Sequence, residues 1–311
     1  MRVIVIGLGV QGVKRQQIAG SDCVATVDPV NPKAQFKTIQ DVPVHSYDAV
    51  LVCTPDDPKY NVIRYALANK KHVLVEKPLW CATAAQLEEL AHLAQANNVA
   101  FYTAYNHRFE PHFMRMKQLL DSGVLGHIYQ CRLFYGNGTA RLVRDSAWRD
   151  SGSGVLADLG SHLLDTLHYW FGTKITQHNF SIISKSNFEN CAPDHVIFAD
   201  FDSKLKIEAE MTLLSWRNHF TCDIFAENGS AHISSLCKWG PSSFIYRQRV
   251  LPSGRPVETE TTLTQSDPTW ALEYEYFMSL CAQSKPEIDF SVNHWIYTEL
   301  ERMASEELLL A

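Results

Sequence analysis

Asp158, His162 and Asp165 stand at i, i+4 and i+7 in the stretch VLADLGSHLLD (155–165). On an α-helix of about 3.6 residues per turn they share one face, with Tyr169 a turn further on. Leu159, Leu163, Leu167 and Trp170 form an apolar stripe beside it. Two carboxylates around an imidazole can chelate a metal, handle a proton, or simply be a solvated stripe. A catalytic zinc usually takes three protein ligands, and no H-x-x-x-H, H-E or paired cysteines reinforce that option, so no metal is expected. A carboxylate one turn away orients an imidazole and raises its basicity, as a general base requires. Asp158 and His162 are therefore the catalytic candidates, and Asp165 reads as a hydrogen-bonding or helix-packing acid.

A second constellation lies at the N-terminus. Gly7-Leu8-Gly9-Val10-Gln11-Gly12 is a complete G-x-G-x-x-G, placed after a strand-like RVIVI (2–6) and opening a helix that ends near Gly20. The next strand, CVATV (23–27), runs into Asp28. This is the dinucleotide fingerprint. Gly7 permits the tight turn, Gly9 lets backbone approach a pyrophosphate, and Gly12 lets helix pack closely on strand. The helix start at Val10 and Gln11 attracts phosphate. Asp28 can accept both ribose hydroxyls and would oppose a 2′-phosphate. Pro29-Val30-Asn31 offers no cation, so NAD is expected rather than NADP.

Elements must position these residues. AVLVC (49–53), HVLVE (72–76) and VAFYT (99–103) continue the run of short apolar strands. Between them lie helices, one starting at Asp57-Pro58 and one at Thr83 with Gln86 completing a capping box. Continuous apolar strands alternating with helices imply a parallel sheet covered on both faces. Later candidates, HIYQCRLFY (127–135), HVIFADF (195–201), LKIEAEMTLL (205–214), HFTCDIFA (219–226) and SAHISSL (230–236), follow one another with short turns, and Asn228-Gly229 marks a hairpin. Helical patterns return over 267–282 and 293–310. The reading is an α/β Rossmann domain over 1–122 and an α+β domain with a large, mostly antiparallel open sheet over 123–311, whose last helix can pack back on the first domain. The chain has 311 residues, 46% apolar and 20% charged, with a net charge of −6, an ordinary globular balance that argues against a broad nucleic-acid footprint. No apolar stretch is long enough for a membrane helix. The eight scattered cysteines suit reduced, buried thiols, and the MRVIVIGLG start is too short an apolar run for a signal peptide, so a cytoplasmic protein is expected.

CTPDDPKYNVIRYALANKKHVLVEKPL (53–79), with YNHRF (105–109) and the VLADLGSHLLD stretch, resembles the glucose–fructose oxidoreductase / inositol dehydrogenase / MocA (Gfo/Idh/MocA) family of NAD(P)-dependent dehydrogenases. The resemblance covers most of residues 1–172. It implies a Rossmann domain followed by the open-sheet domain, NAD or NADP as cofactor, a carbohydrate substrate, and a homodimer or homotetramer formed through the sheet. Residue by residue, Lys77 matches the lysine of the family's E-K-P motif, Asp158 and His162 match its aspartate and histidine, and Thr54 and Pro55 match the turn lining the nicotinamide. Glu76 stands beside Lys77 in the same motif. Three positions depart from the pattern: Lys59 where a histidine is usual, Lys70 where a glycine is usual, and Ser151-Gly152-Ser153-Gly154 in place of paired glycines.

Lys77 ends a strand, the edge at which open parallel sheets bind ligands, and Pro78 restricts it to extended backbone; the Lys77–Pro78 bond is a candidate cis peptide. Asn106, Arg108, Trp148 and Arg149 are candidate substrate contacts alongside Asp158 and His162, and Tyr135, Trp216 and Arg217 join them. For each, a core aromatic or a surface ion pair is the competing reading. The function expected is hydride transfer between nicotinamide and a secondary hydroxyl or keto carbon of a sugar or derivative, including a sugar acid or nucleotide sugar. His162 takes the hydroxyl proton and Lys77 stabilises the alkoxide, or the two exchange roles. The alternatives are an NAD-dependent glycoside hydrolase using transient oxidation, or a non-catalytic regulator that senses NAD or sugar.

Overall fold

Apolar runs in the first hundred residues become strands buried along most of their length. The computed structural model describes residues 1–79, 83–147, 149–286 and 290–306. It divides into two compact units, residues 1–106 with 268–297, and residues 107–267 with 298–311.

In the first unit, β1 (Val3–Ile6), β2 (Cys23–Val27), β3 (Ala49–Val52), β4 (His72–Glu76) and β5 (Phe101–Ala104) form a parallel sheet in the order β2-β1-β3-β4-β5. β1 and β3 are buried at every residue, as expected of strands covered on both faces. The helices are α1 (Val10–Ala19), α2 (Asp56–Ala68) and α3 (Ala84–Asn97). α3 starts at the Thr83–Gln86 capping box. α2 starts earlier than expected: Pro55 is its N-cap, so Asp56 and Asp57 both lie in the first turn, where carboxylates favour the helix dipole. Lys70, where the family has glycine, adopts the left-handed conformation (φ 58°).

The sheet's lower edge is tied by Arg2 and Asp48. The Arg2 backbone N–H and guanidinium donate to Asp48 over 2.7–3.2 Å. This interaction holds the Asp48 carboxyl down to about 2 from 3.8, the Arg2 side-chain hydrogen bonds being the largest cause. A depressed folded-state pKa means the stabilisation is complete above the unfolded value and is lost as pH falls. Wild type is therefore expected to exceed Asp48→Asn in stability at neutral pH, the gap closing between pH 3.8 and about 2. Urea melts across that range test this, and a pH-independent gap would contradict it.

α7 (Thr269–Cys281) belongs to the first unit, where Tyr274 donates to Asp22 over 3.0 Å. α8 runs from Phe290 to Ser305, and Phe290 stacks on Phe101 at 4.6 Å.

The second unit holds an eight-stranded sheet in the order β13-β12-β11-β10-β6-β9-β8-β7, built from β6 (Ile128–Gly136), β7 (Ser181–Ser186), β8 (His195–Asp200), β9 (Lys206–Thr212), β10 (His219–Ala226), β11 (Gly229–Ser234), β12 (Ser242–Gln248) and β13 (Val257–Leu263). β6 and β9 pair in parallel, and every other neighbouring pair is antiparallel. Burial alternates along β9 and β10, so one face packs and the other is open. α4 (Pro111–Asp121), α5 (Ala140–Arg144) and α6 (Ser161–Phe171) belong to the same unit. The Trp170 indole donates to the Phe113 carbonyl over 3.1 Å, joining α6 to α4.

The helix bearing Asp158 is not α-helical throughout. Leu156–Gly160 is a π-helical turn running into α6. Such turns insert an extra residue and occur often at functional sites. Here the turn brings Gly160 against Met211 of β9, where an added Cβ would lie 3.1 Å from the sulfur.

Candidate active site

In the first unit the glycine loop lies at the carboxyl edge of the parallel sheet. Gly7 has φ +90°, and a Cβ on Gly12 would sit 1.7 Å from the Gly7 carbonyl oxygen. Only glycine permits that approach. An added Cβ on Gly9 would meet nothing within 4 Å, and no side chain caps α1. The open approach at Gly9 and the uncapped N–H groups at Val10 and Gln11 fit the phosphates of a dinucleotide.

Asp28 is more committed than its sequence position suggests. One carboxylate oxygen accepts from Leu8 N–H at 2.7 Å, the other from Val30 and Asn31 N–H, each at 2.8 Å. The Asn31 amide returns a bond to the Leu8 carbonyl at 3.0 Å. A carboxylate has about four acceptor positions, so Asp28 has room for one ribose hydroxyl rather than two. Desolvation opposes its charge, but these backbone donors outweigh it and hold the carboxyl below its ordinary value. Lys37 also contributes, with its ammonium 3.5 Å from the Asn31 carbonyl. The expectation that no cation lies near this end is corrected: the chain doubles back, pairing Phe36 with Val27, and brings Lys37 close.

The Glu76-Lys77-Pro78 turn is braced from two sides. Arg15 of α1, 1% exposed, donates to Glu76 at 2.7 Å and to Glu273 of α7 at 2.6 Å. Its guanidinium lies 4.2 Å from the Trp270 ring centroid. Burial opposes the Arg15 charge, but the two glutamates more than compensate. Lys59, replacing the family's usual histidine, is buried and donates to Asp56 at 2.7 Å and to the Pro78 carbonyl at 3.0 Å. The Lys77–Pro78 peptide is cis. Lys77 thus follows directly on a fixed carboxylate. The Thr54 hydroxyl is buried with no hydrogen-bond partner among the described residues, and Pro55 is exposed at the start of α2.

In the second unit His162 is 7% exposed on α6. Its ring stacks on that of His107 at 4.1 Å and 18°. Tyr135 of β6 stands edge-on at 6.1 Å. The Tyr135 hydroxyl is pushed up, first by burial and then by the charge of Asp158. Asp158 is carried by the turn after Gly154, which has φ +50°; a Cβ there would fall 2.2 Å from the Pro193 carbonyl oxygen. Asp150 fixes the facing loop by accepting from Cys191 and Ala192 N–H.

Asp165 is 1% exposed and receives the Arg108 guanidinium through bonds of 2.5–3.1 Å. Burial raises its carboxyl above the ordinary range, and Arg108 offsets only part of this. That pairing joins Arg108 to Asp165 on α6. Asn106, in the first unit, donates to Thr269 at 2.7 Å. Arg149 is half-buried, Trp216 and Arg217 are exposed, and Trp148 lies outside the described residues. His107, Lys238 and Trp239 join the cluster without having been expected. Lys238 is 3.5 Å from His107, and Trp239 is 5.8 Å from Tyr135. His107 stands inside the quoted YNHRF stretch, but its contacts span more than 50 residues. Among the described residues no group of three or more His, Cys, Asp or Glu is arranged to hold a metal, and no helix is long and apolar enough to cross a membrane. The seven described cysteines are free thiols.

Residues 1–105 match the oxidoreductase family with an NAD-binding Rossmann fold, and residues 113–232 match the GFO/IDH/MocA C-terminal domain. An oxidoreductase of Schizosaccharomyces pombe is 35% identical over 129 residues, covering 40% of this chain and 34% of that protein. The scyllo-inositol 2-dehydrogenase (NADP(+)) of Bacillus subtilis is 31% identical over 128 residues, covering 40% of this chain and 35% of that protein. The chain thus spans about a third of the length of these two curated relatives. A solved levoglucosan dehydrogenase in complex with NADH shares the fold, with a TM-score of 0.80 at 17% identity over 97% of this chain and 95% of that one.

Proposed function

Because this chain belongs to the Gfo/Idh/MocA oxidoreductases, we propose that it transfers a hydride between a nicotinamide dinucleotide and a secondary hydroxyl or keto carbon of a sugar or sugar derivative. The observation that carries the reading is the first unit's sheet edge: the glycine loop opens there, and Lys77 follows Glu76, which buried Arg15 fixes, at the end of β4. Nucleotide and proton-handling lysine thereby share one edge, as ligands of open parallel sheets do.

When bound, the nicotinamide supplies the hydride acceptor. The backbone of Gly9, Val10, Gln11 and Gly12 would hold the pyrophosphate, Asp28 a ribose hydroxyl, and Thr54, Pro55 and Glu76 the nicotinamide end. His162 is the group assigned to take the proton from the substrate hydroxyl, and Lys77 the group assigned to donate to an oxygen that develops negative charge. Asp158 orients His162. NAD is the cofactor proposed from Asp28, and Lys37 gives a 2′-phosphate one cation. Self-association through the open face of the eight-stranded sheet, where Phe225 is exposed, and a cytoplasmic location complete the reading.

The test is nicotinamide absorbance with purified protein, NAD and NADP in parallel, over inositols, aldopyranoses, sugar acids and nucleotide sugars. Substrate-dependent reduced cofactor is expected. Release of an aglycone without net reduction would instead establish the glycosidase alternative.

A further inference from the structure

We infer that His107 is a positioning residue for His162, held in one tautomer by Lys238; this rests on the assignment of proton transfer to His162. A general base must present one lone pair in one direction, yet a histidine ring rotates about two side-chain bonds. His107 removes that freedom. It is 2% exposed, and its ring lies nearly parallel to that of His162, 18° apart at 4.1 Å. Tyr135 at 5.3 Å and Phe113 at 5.7 Å enclose the His107 ring in turn. The next residue, Arg108, is bonded to Asp165 on the helix that carries His162. Backbone and ring of His107 are thus both indexed to α6.

Lys238 sets the proton. Its ammonium stands 3.5 Å from His107 Nε2. An ammonium has donors and no acceptor, so this contact requires a lone pair on Nε2 and places the His107 proton on Nδ1. A neutral ring then faces His162. It offers a π-face to the imidazolium that forms when His162 takes its proton, whereas a charged ring would repel it. Lys238 is in turn fixed by its neighbour. Cys237 donates to the buried carboxylate of Glu110 through its N–H at 3.1 Å and its thiol at 3.0 Å. The His107–Glu110 turn and the Cys237–Trp239 turn therefore lock each other beside His162.

Long-range proton–nitrogen NMR of the full chain labelled on histidine reads the tautomer directly, with no substrate needed. Wild type is expected to show His107 protonated on Nδ1 alone, and Lys238→Met to show a mixture of tautomers. With any sugar that the wild type turns over, His107→Leu, which fills the space without a flat face, is expected to lower kcat about 10- to 100-fold with KM little changed, the scale of a small misplacement. His107→Phe restores the face and is expected to recover most of kcat. Protonation of His107 on Nε2, or equal rates in the Leu and Phe variants while His162→Ala is inactive, would overturn the inference alone. Activity in His162→Ala would overturn the assignment beneath it.

Discussion

Glu273→Ala lowers the thermal midpoint by on the order of 10 °C, corresponding to about 3–5 kcal/mol, the cost of removing one partner from a buried ion pair. Glu273 is fully buried, and its carboxylate meets Arg15, itself 1% exposed, at 2.6 Å. Without it, Glu76, 13% exposed, is the one carboxylate among the described residues paired with Arg15 to balance a charge lifted out of water. The penalty is desolvation left unmatched rather than one lost contact. Two further variants separate these causes. Glu273→Gln keeps an acceptor and is expected to fall between Ala and wild type. Arg15→Met with Glu273→Leu removes both charges and is expected to regain much of the loss. Calorimetry of the four proteins checks the series; an Ala variant within 1 °C of wild type would refute the account. The result bears on function as well, because Arg15 also holds Glu76, the residue before Lys77.

The parallel sheet was legible because its strands are buried on both faces. Four apolar residues in a row, as in Val3–Ile6, have few other destinations, and the glycine loop and Asp28 follow at fixed spacing. The large sheet was legible only where burial alternates. β13, VETETTL, is exposed along most of its length, so no core imposes a pattern on it. β7 and β12 carry serines and charged residues among few apolar ones and escape for the same reason. α7 reads as a helix from its own residues. That it supplies Glu273 to Arg15, 258 positions away, is a tertiary fact that no local pattern encodes.

The candidate site divides the same way. Helical spacing singles out Asp158 and His162, although the helix begins with a π-turn, and Asp165, read as a hydrogen-bonding or packing acid, pairs with Arg108. Arg108, expected to meet substrate, pairs with Asp165, because a guanidinium after a strand suits a carboxylate of the chain as well as it suits a bound anion. Lys37 was missed because a chain reversal, marked only by the Val27–Phe36 pairing, brings it back beside Asp28. His107, Lys238 and Trp239 come from two turns more than 120 residues apart, joined by the Glu110–Cys237 bonds. Spacing rules cannot register a partner that far along the chain.

His162→Ala is expected to lower kcat by about 10²–10⁴-fold, the range for removing a general base. Lys77→Met is expected to lower it by about 10²–10³-fold, the range for losing one donor to a developing oxyanion. Neither side chain is needed to seat the phosphates, so reduced-cofactor affinity, read by fluorescence, stays within about two-fold of wild type; the coupling of proton and hydride loss is what each variant impairs. If both groups act on the same oxygen in one transition state, the double variant is little worse than the poorer single one, because a unit already broken loses little more. Independent, multiplying losses would instead mean separate steps. Near wild-type turnover in either single variant would remove that residue from the mechanism. Asp158→Asn probes the remaining member: it keeps a hydrogen-bonding side chain but loses the charge, so a loss smaller than that of His162→Ala is expected. A loss equal to that of His162→Ala would make the Asp158 charge, rather than hydrogen bonding by its side chain, the property on which proton transfer depends.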